Sequence, residues 1–280
     1  METRGHMDFE LQPASDYPLP DLVNDLNRGF ENYFVPIQFN VSQFLTMLRK
    51  DGIDLTASRV LIADGTPSGV ALIARRGWTS RLAAMGISTD MRGKGAGTWL
   101  MNELIREARE RNEREMVLEV IEQNEPAVAL YKNSGFETVR RLVGFIRKDA
   151  VEDGANDLKE IDLRTAGSLI SHYGLPDLPW QLSGETIAQM NPPARAYKNR
   201  QAYAVISNPD VEHVVVWSVL VEPEARGKDL AVDMLRNVIA RHAGKTWHVP
   251  AIFPEEFTGL FDRTGFEKEE LSQWQMRLVL

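Results

Sequence analysis

Apolar positions recur along this chain in two matching blocks. Leu100, Met101, Leu104 and Ile105 fall at helical spacing, and Met234, Leu235, Val238 and Ile239 reproduce that stripe 134 positions later. Immediately ahead of the stripes, Ile87-Ser-Thr-Asp-Met-Arg-Gly-Lys-Gly-Ala-Gly97 aligns without gaps with Val221-Glu-Pro-Glu-Ala-Arg-Gly-Lys-Asp-Leu-Ala231. A second pair aligns at an offset of 130: Leu130-Tyr-Lys-Asn-Ser-Gly-Phe136 stands opposite Leu260-Phe-Asp-Arg-Thr-Gly-Phe266. The opening segments agree as well, Phe9–Gln12 against Ile161–Arg164. Agreement at three places in one order describes one plan written twice.

In the first copy the periodicity predicts a strand at 8–13, helices at 20–30 and 41–51, and strands at 58–63, 68–75 and 81–88. Asp64-Gly65 signals a hairpin turn, and Arg76-Gly77 turns the next pair. A helix over 95–112, a strand over 115–121, a helix over 125–133 and two closing strands over 136–148 complete the unit. The second copy follows the same order with about 18 fewer residues between its opening strand and its glycine-rich turn. Alternating strands and helices predict an α/β fold of layered α+β type, two tandem domains each with a mixed, mostly antiparallel twisted sheet flanked by helices. The polar run Asp149, Glu152, Asp153, Gly154, Asn156 and Asp157 divides them, giving domains at 1–149 and 158–280 with a linker at 150–157.

A length of 280 residues suits two domains, and 43% hydrophobic residues suffice for two cores. No apolar run approaches the roughly 20 residues that cross a bilayer, and the first ten residues lack the layout of a signal peptide. There is no cysteine, which excludes disulfides, thiolate metal sites and a Cys-acyl intermediate. A cytoplasmic protein without a membrane partner is expected. Residues 1–150 carry 19 basic and 21 acidic side chains and the rest carry 13 and 19, so neither half has the basic excess of a nucleic-acid binder. The five histidines are scattered, and no metal is implied.

Gly93, Gly95 and Gly97 lie between an apolar strand and a helix start. Glycine there permits positive φ and close approach, and the first helical turn offers unpaired amides at the positive end of the helix dipole. The same residues also satisfy a plain strand-to-helix turn. Lys94 precedes Gly95, which breaks the Walker A pattern, and Thr98 stands where a dinucleotide fingerprint needs its last glycine. Arg92-Gly-Lys-Gly-Ala-Gly97 fits Arg-x-x-Gly-x-Gly and resembles the GNAT superfamily of N-acetyltransferases, where this motif holds the coenzyme A pyrophosphate. The resemblance covers both halves. It implies that the amides of Arg92, Gly93, Lys94, Gly95, Ala96 and Gly97 bind pyrophosphate and that the strand Met85-Gly86-Ile87 pairs with the pantetheine arm. Thr89 departs from the proline common at its position.

Asn124 suits a helix N-cap, Pro126 its first turn and Gly135 the left-handed position after its end, so local grammar alone accounts for all three. The family pattern also places Asn124 at the coenzyme. Tyr131 holds the position of the family's tyrosine near the thioester sulfur, and a neutral phenol is a suitable acid for a departing thiolate. Glu119, 12 residues earlier, matches the glutamate that acts as base in enzymes acetylating ribosomal-protein N-termini; strand alternation sets it and Val117 on one face. Glu122 is the second choice, and a water chain the third.

The resemblance implies direct transfer of an acetyl group from acetyl-CoA to a primary amine, on a small molecule or a protein N-terminus. A coenzyme-A-binding regulator or scaffold without turnover is the alternative. Phe30, Tyr33, Phe34, Pro36 and Phe39 lie where the fold sets its acceptor, and equally suit a plain core. In the second half Asp229 replaces Gly95, Phe261 replaces Tyr131, Pro254 replaces Asn124 and Val249 replaces Glu119. A degenerate, non-catalytic copy is expected there. Walling the acceptor pocket, stabilising the first half and forming a homodimer surface are the roles open to it.

Overall fold

The computed structural model describes residues 8–150 and 157–280, so most of the expected linker lies outside the described residues. They form two compact units. The first takes the chain up to Val120, then Asn124–Thr138 and Met276–Leu280; the second takes Ile121–Gln123 and Val139–Gln275. This division differs from the collinear one at 150–157 because each unit completes its sheet with a strand from the other part of the sequence.

The first unit contains strands β1 (Phe9–Pro13), β2 (Arg59–Ala63), β3 (Thr66–Arg76), β4 (Thr79–Ile87) and β5 (Glu115–Ile121), with helices α1 (Leu19–Gly29), α2 (Val41–Asp51), α3 (Ala96–Glu110) and α4 (Glu125–Asn133). Strands β1 to β4 pair antiparallel in sequence order, and β4 pairs parallel with β5. Beyond β5 the chain terminus closes the sheet, the Leu280 amide donating to the Arg114 carbonyl at 3.0 Å.

Local chemistry fixes these elements. Leu22, Val23, Leu26 and Gly29 fall on one face of α1 and are buried, the first three packing with Phe44, Val60, Val70 and Leu72 in a shared core. Each such leucine stabilises the fold by about 1.5–3 kcal/mol. Asn40 and Gln43 cap α2 reciprocally at 2.9 and 3.0 Å, and Gly52, at φ 68°, ends it. Asp64 and Gly65 take φ of 48° and 78°, the geometry of a two-residue hairpin turn.

The second unit holds the long β6 (Glu137–Ala150), β7 (Lys159–Ile161), β8 (Arg195–Asn199), β9 (Ala202–Ile206), β10 (His213–Val221), β11 (Lys245–Pro254) and most of β12 (Glu267–Val279). Its helices are α5 (Leu163–Tyr173), α6 (Gly184–Ala188), α7 (Leu230–Arg241) and α8 (Thr258–Asp262). The two closing strands expected over 136–148 are one strand, β6, which runs antiparallel to β11. The segment's one glycine, Gly144, serves close packing and not a turn, since a Cβ there would lie 3.0 Å from the Ala251 amide nitrogen of β11.

Each unit has an opening of the same kind. In the first, β4 and β5 pair only over Thr79↔Glu115, Ser80↔Met116 and Arg81↔Val117. A bulge follows at once in β4, where Ile73 faces Leu82 but Leu72 faces Ala84. In the second unit, β10 and β11 pair over His213↔Thr246 to Val215↔His248, and β10 bulges between Val216 and Ser218. A bulge bends its strand. Past each bulge, among the described residues, the two parallel neighbours carry no further ladder pairs, and one edge of the bulged strand faces a cleft.

Candidate active site

The turn after β4 is shaped by backbone conformation. Gly93 and Gly95 sit at φ 74° and 88°, in the left-handed region, and a Cβ on either would meet nothing within 4 Å. These glycines are needed for the bend, and the space outside them is open. Gly97 has a different reason: its Cβ would lie 3.4 Å from both Ile87 Cδ1 and Leu130 Cδ2. The end of β4, the start of α3 and the side of α4 thus converge on one residue. The first hydrogen bond of α3 runs from Trp99 to the Gly95 carbonyl at 3.0 Å, so the amides of Ala96, Gly97 and Thr98 have no acceptor one turn earlier. A cavity of about 410 Å³ opens beside them, lined by Thr98, Asn102, Pro126, Leu130 and Asn133.

Arg92 does not reach outward. Its Nε donates to the Ile87 carbonyl at 3.0 Å, and its Nη2 donates to the carbonyls of Gly29 and Glu31 at 2.9 and 3.2 Å. The side chain ties the turn to the end of α1 through Nε and Nη2. Lys94 is exposed and Ala96 is buried. Met85, Gly86 and Ile87 pair with Ala71, Val70 and Gly69 of β3, and their other edge faces the opening beside β5. Gly86 is pressed against Gly29 of α1, since a Cβ on it would lie 2.9 Å from the Gly29 Cα.

Asn124 caps α4 by accepting from the Ala127 amide at 3.4 Å. Tyr131 follows two turns later. It is 8% exposed and its ring meets Phe136 edge-on at 5.9 Å. Burial pushes its phenol above the ordinary value of 10.0, and the nearby Tyr33 phenol adds to the rise. Tyr33 comes from the loop between α1 and α2; burial raises its pKa too, against a polar interaction with the Asn124 side chain. Of the five aromatic-region residues named from the sequence, Tyr33 is the one drawn to Tyr131 and Asn124. Phe30 and Phe39 pack on the core, and Phe34 is exposed.

Glu119 has a partner that its strand pattern does not reveal. Its Oε2 accepts from Arg81 Nε at 2.8 Å, with 3% and 6% of the two side chains exposed, and Arg81 Nη1 also lies 3.9 Å from Asp51 Oδ2. Arg81 directly precedes the apolar run Leu82-Ala-Ala-Met85, and a buried arginine requires a carboxylate. That signal marks Arg81 as needing a carboxylate without saying which one. Glu122 belongs to the second unit. It accepts from Arg141 Nε at 2.7 Å and from the Ser272 hydroxyl; burial raises its pKa, and these bonds outweigh it to leave the carboxyl below its usual value.

The second unit reproduces two of the three bonds that tie the turn. Arg226 donates to the Val221 and Tyr173 carbonyls as Arg92 does to those of Ile87 and Gly29. Gly227 takes φ 75°, and Asp229 holds the left-handed position of Gly95 at φ 58°. The Asp229 carboxylate pairs with Arg263 at 2.9 Å. Phe261, where Tyr131 would stand, is fully buried and stacked on Phe145 at 4.6 Å. The larger cavity, about 500 Å³, lies in this unit and not beside the tyrosine.

The sequence model of the Acetyltransferase (GNAT) family matches residues 20–136, which hold the β4–α3 turn and α4. No curated protein sequence matches the chain. Among solved structures, a GCN5-related N-acetyltransferase from Sphaerobacter thermophilus superposes with a TM-score of 0.69 at 14% identity, covering 98% of this chain and 95% of that one. An acetyltransferase-like protein from Pyrococcus horikoshii gives 0.66 at 16% identity over 100% and 91%. A tandem GNAT protein from the clavulanic acid biosynthesis pathway gives 0.64 at 14% identity over 98% of both chains. At these identities the likenesses speak for the fold. Residues 20–136 thus match the acetyltransferase (GNAT) family, and the fold is one that these solved structures share over nearly the whole chain.

Proposed function

We propose that the first unit transfers an acetyl group from acetyl-CoA to a primary amine in a single ternary complex, and that the second unit does not catalyse. The observation that carries this reading is the convergence at Gly97. The bend with unpaired amides, the open edge of β4 and the helix bearing Tyr131 meet there, and a buried phenol held protonated lies on that helix.

The cradle fits a diphosphate: left-handed Gly93 and Gly95 leave open space, and the α3 amides carry the positive end of the helix dipole. Acetyl-CoA supplies the activated thioester. The backbone of Met85–Ile87 offers donors and acceptors to an extended amide arm, as a sheet edge does to an added strand. Tyr131 gives its phenolic proton to the sulfur as the carbon–sulfur bond breaks, and regains one from the proton that the attacking amine releases. Glu119 is the base for that release through the carboxylate oxygen that Arg81 does not hold, directly or through water. The acceptor is an amine on a small molecule or at a protein N-terminus, with Tyr33 at the rim of its site.

A coenzyme-binding protein without turnover is the competing reading, and the engagement of Glu119 by Arg81 is the observation that favours it. An amine panel with acetyl-CoA, read by thiol release and product mass, separates the two. The enzyme reading expects at least one amine to be acetylated, and expects Gly95→Asp, which copies the second unit's residue into the first, to weaken coenzyme binding at least about tenfold. Binding without any acetylated product supports the competing reading.

A further inference from the structure

A cavity of the second unit lies in the half that lacks the tyrosine. Its walls are apolar, with Leu178, Val219, Phe253, Leu260 and Phe261 among them, and its volume of about 500 Å³ is that of a small-molecule site. Three features define what it accepts. Along one wall runs β10 from Ser218 to Leu220, past the last parallel pair with β11 at Val215↔His248, so this edge presents backbone groups to the cavity, ending at Val221, whose carbonyl accepts from Arg226. At the start of α7, Asp229 and Arg263 line the cavity and pair at 2.9 Å, neutralising one another. At the inner end, fully buried Phe261 supplies a ring and no proton.

We infer that this cleft binds a short, uncharged, apolar peptide-type amide in extended form along β10, and that the Asp229–Arg263 pair closes it to diphosphate esters. An added strand of two residues satisfies the exposed edge, and apolar side chains fill the walls. A diphosphate would have to lie against the Asp229 carboxylate and compete with it for Arg263. The site is independent of the chemistry assigned to Tyr131.

Trp217 lines the cavity and reports on it locally. The probe is N-acetyl-leucyl-leucinamide, added to the full chain and to Trp217→Phe, with the Trp217 contribution taken as the difference in emission. A saturable change in that difference at millimolar or lower probe is expected, with none on adding coenzyme A. Asp229→Gly keeps the left-handed turn and removes the carboxylate, and there coenzyme A should change Trp217 emission at least tenfold more strongly than in the parent at equal concentration. Gly259→Leu fills the cavity without a clash, since a Cβ at Gly259 meets nothing within 4 Å. It should abolish the peptide signal while the melting temperature stays near that of the parent. A parent cleft whose Trp217 signal ignores the dipeptide overturns the inference, as does one that responds to coenzyme A. A response unaltered by Gly259→Leu, or Asp229→Gly still deaf to coenzyme A, overturns the assignment of the cavity or of its gate.

Discussion

Tyr131 enters the site as a phenol held protonated by burial and by a second phenol, Tyr33. A donor whose pKa is raised above 10.0 stays neutral and keeps its proton throughout the neutral and mildly alkaline range. The pH–rate profile at saturating substrates should therefore show no descending limb removable by Tyr131→Phe up to pH about 10. Glu119 and Arg81 make a different test. Breaking a buried ion pair by deleting one partner costs roughly 3–5 kcal/mol, whereas replacing both with apolar residues of similar size costs far less. Arg81→Ala should lose about that amount in urea unfolding, and Arg81→Met with Glu119→Leu should recover most of it. Glu113 lies in a comparable network: burial raises its pKa, and bonds from Arg111 and Arg75 outweigh that and hold it below the usual carboxylate value. A carboxyl lowered in the folded state stabilises above its unfolded pKa of about 4.3 and loses that contribution as pH falls through the folded value. Glu113→Gln should therefore be less stable than the parent at pH 7, and the gap should narrow on acidification below about pH 4.

The elements around the site were legible wherever their signals are local. The bounds of α2 and α4 follow from Asn40, Gly52, Asn124 and Gly135, all of which cap or terminate as their residue types require. The glycines were legible as a cluster but not in their separate reasons. Gly93 and Gly95 answer to φ, and Gly97 answers to the packing of α3 on Ile87 and Leu130. The contact of Gly86 with Gly29 was not legible, because it joins residues 57 apart in sequence through the crossing of α1 over β4. Gly86→Ala must push α1 off β4, and a loss of about 1–3 kcal/mol is expected by denaturant titration. Gly95→Ala meets no neighbour, so only its left-handed backbone is penalised, by about 1–2 kcal/mol.

At the scale of the whole chain the duplication was readable, since it rests on motifs of a few residues, and it holds down to the hydrogen bonds of Arg92 and Arg226. The partition into units was not readable. β6 and the end of β12 exchange units, and strand pairing across more than a hundred residues leaves no local mark. Nor could spacing expose Arg81 as the partner of Glu119, because pairing of β4 with β5 decides it. Phe261→Tyr should restore no turnover to a Tyr131→Phe chain, since it places a hydroxyl in a fully buried aromatic cluster beside a cleft guarded by Asp229.

The most direct test of the account is the acetyl transfer rate of Tyr131→Phe, measured beside its coenzyme affinity on an amine that the parent acetylates. A drop in kcat of about tenfold or more with the dissociation constant for acetyl-CoA unchanged is the predicted result. An unchanged kcat would contradict it, because the proton would then reach the sulfur from another group.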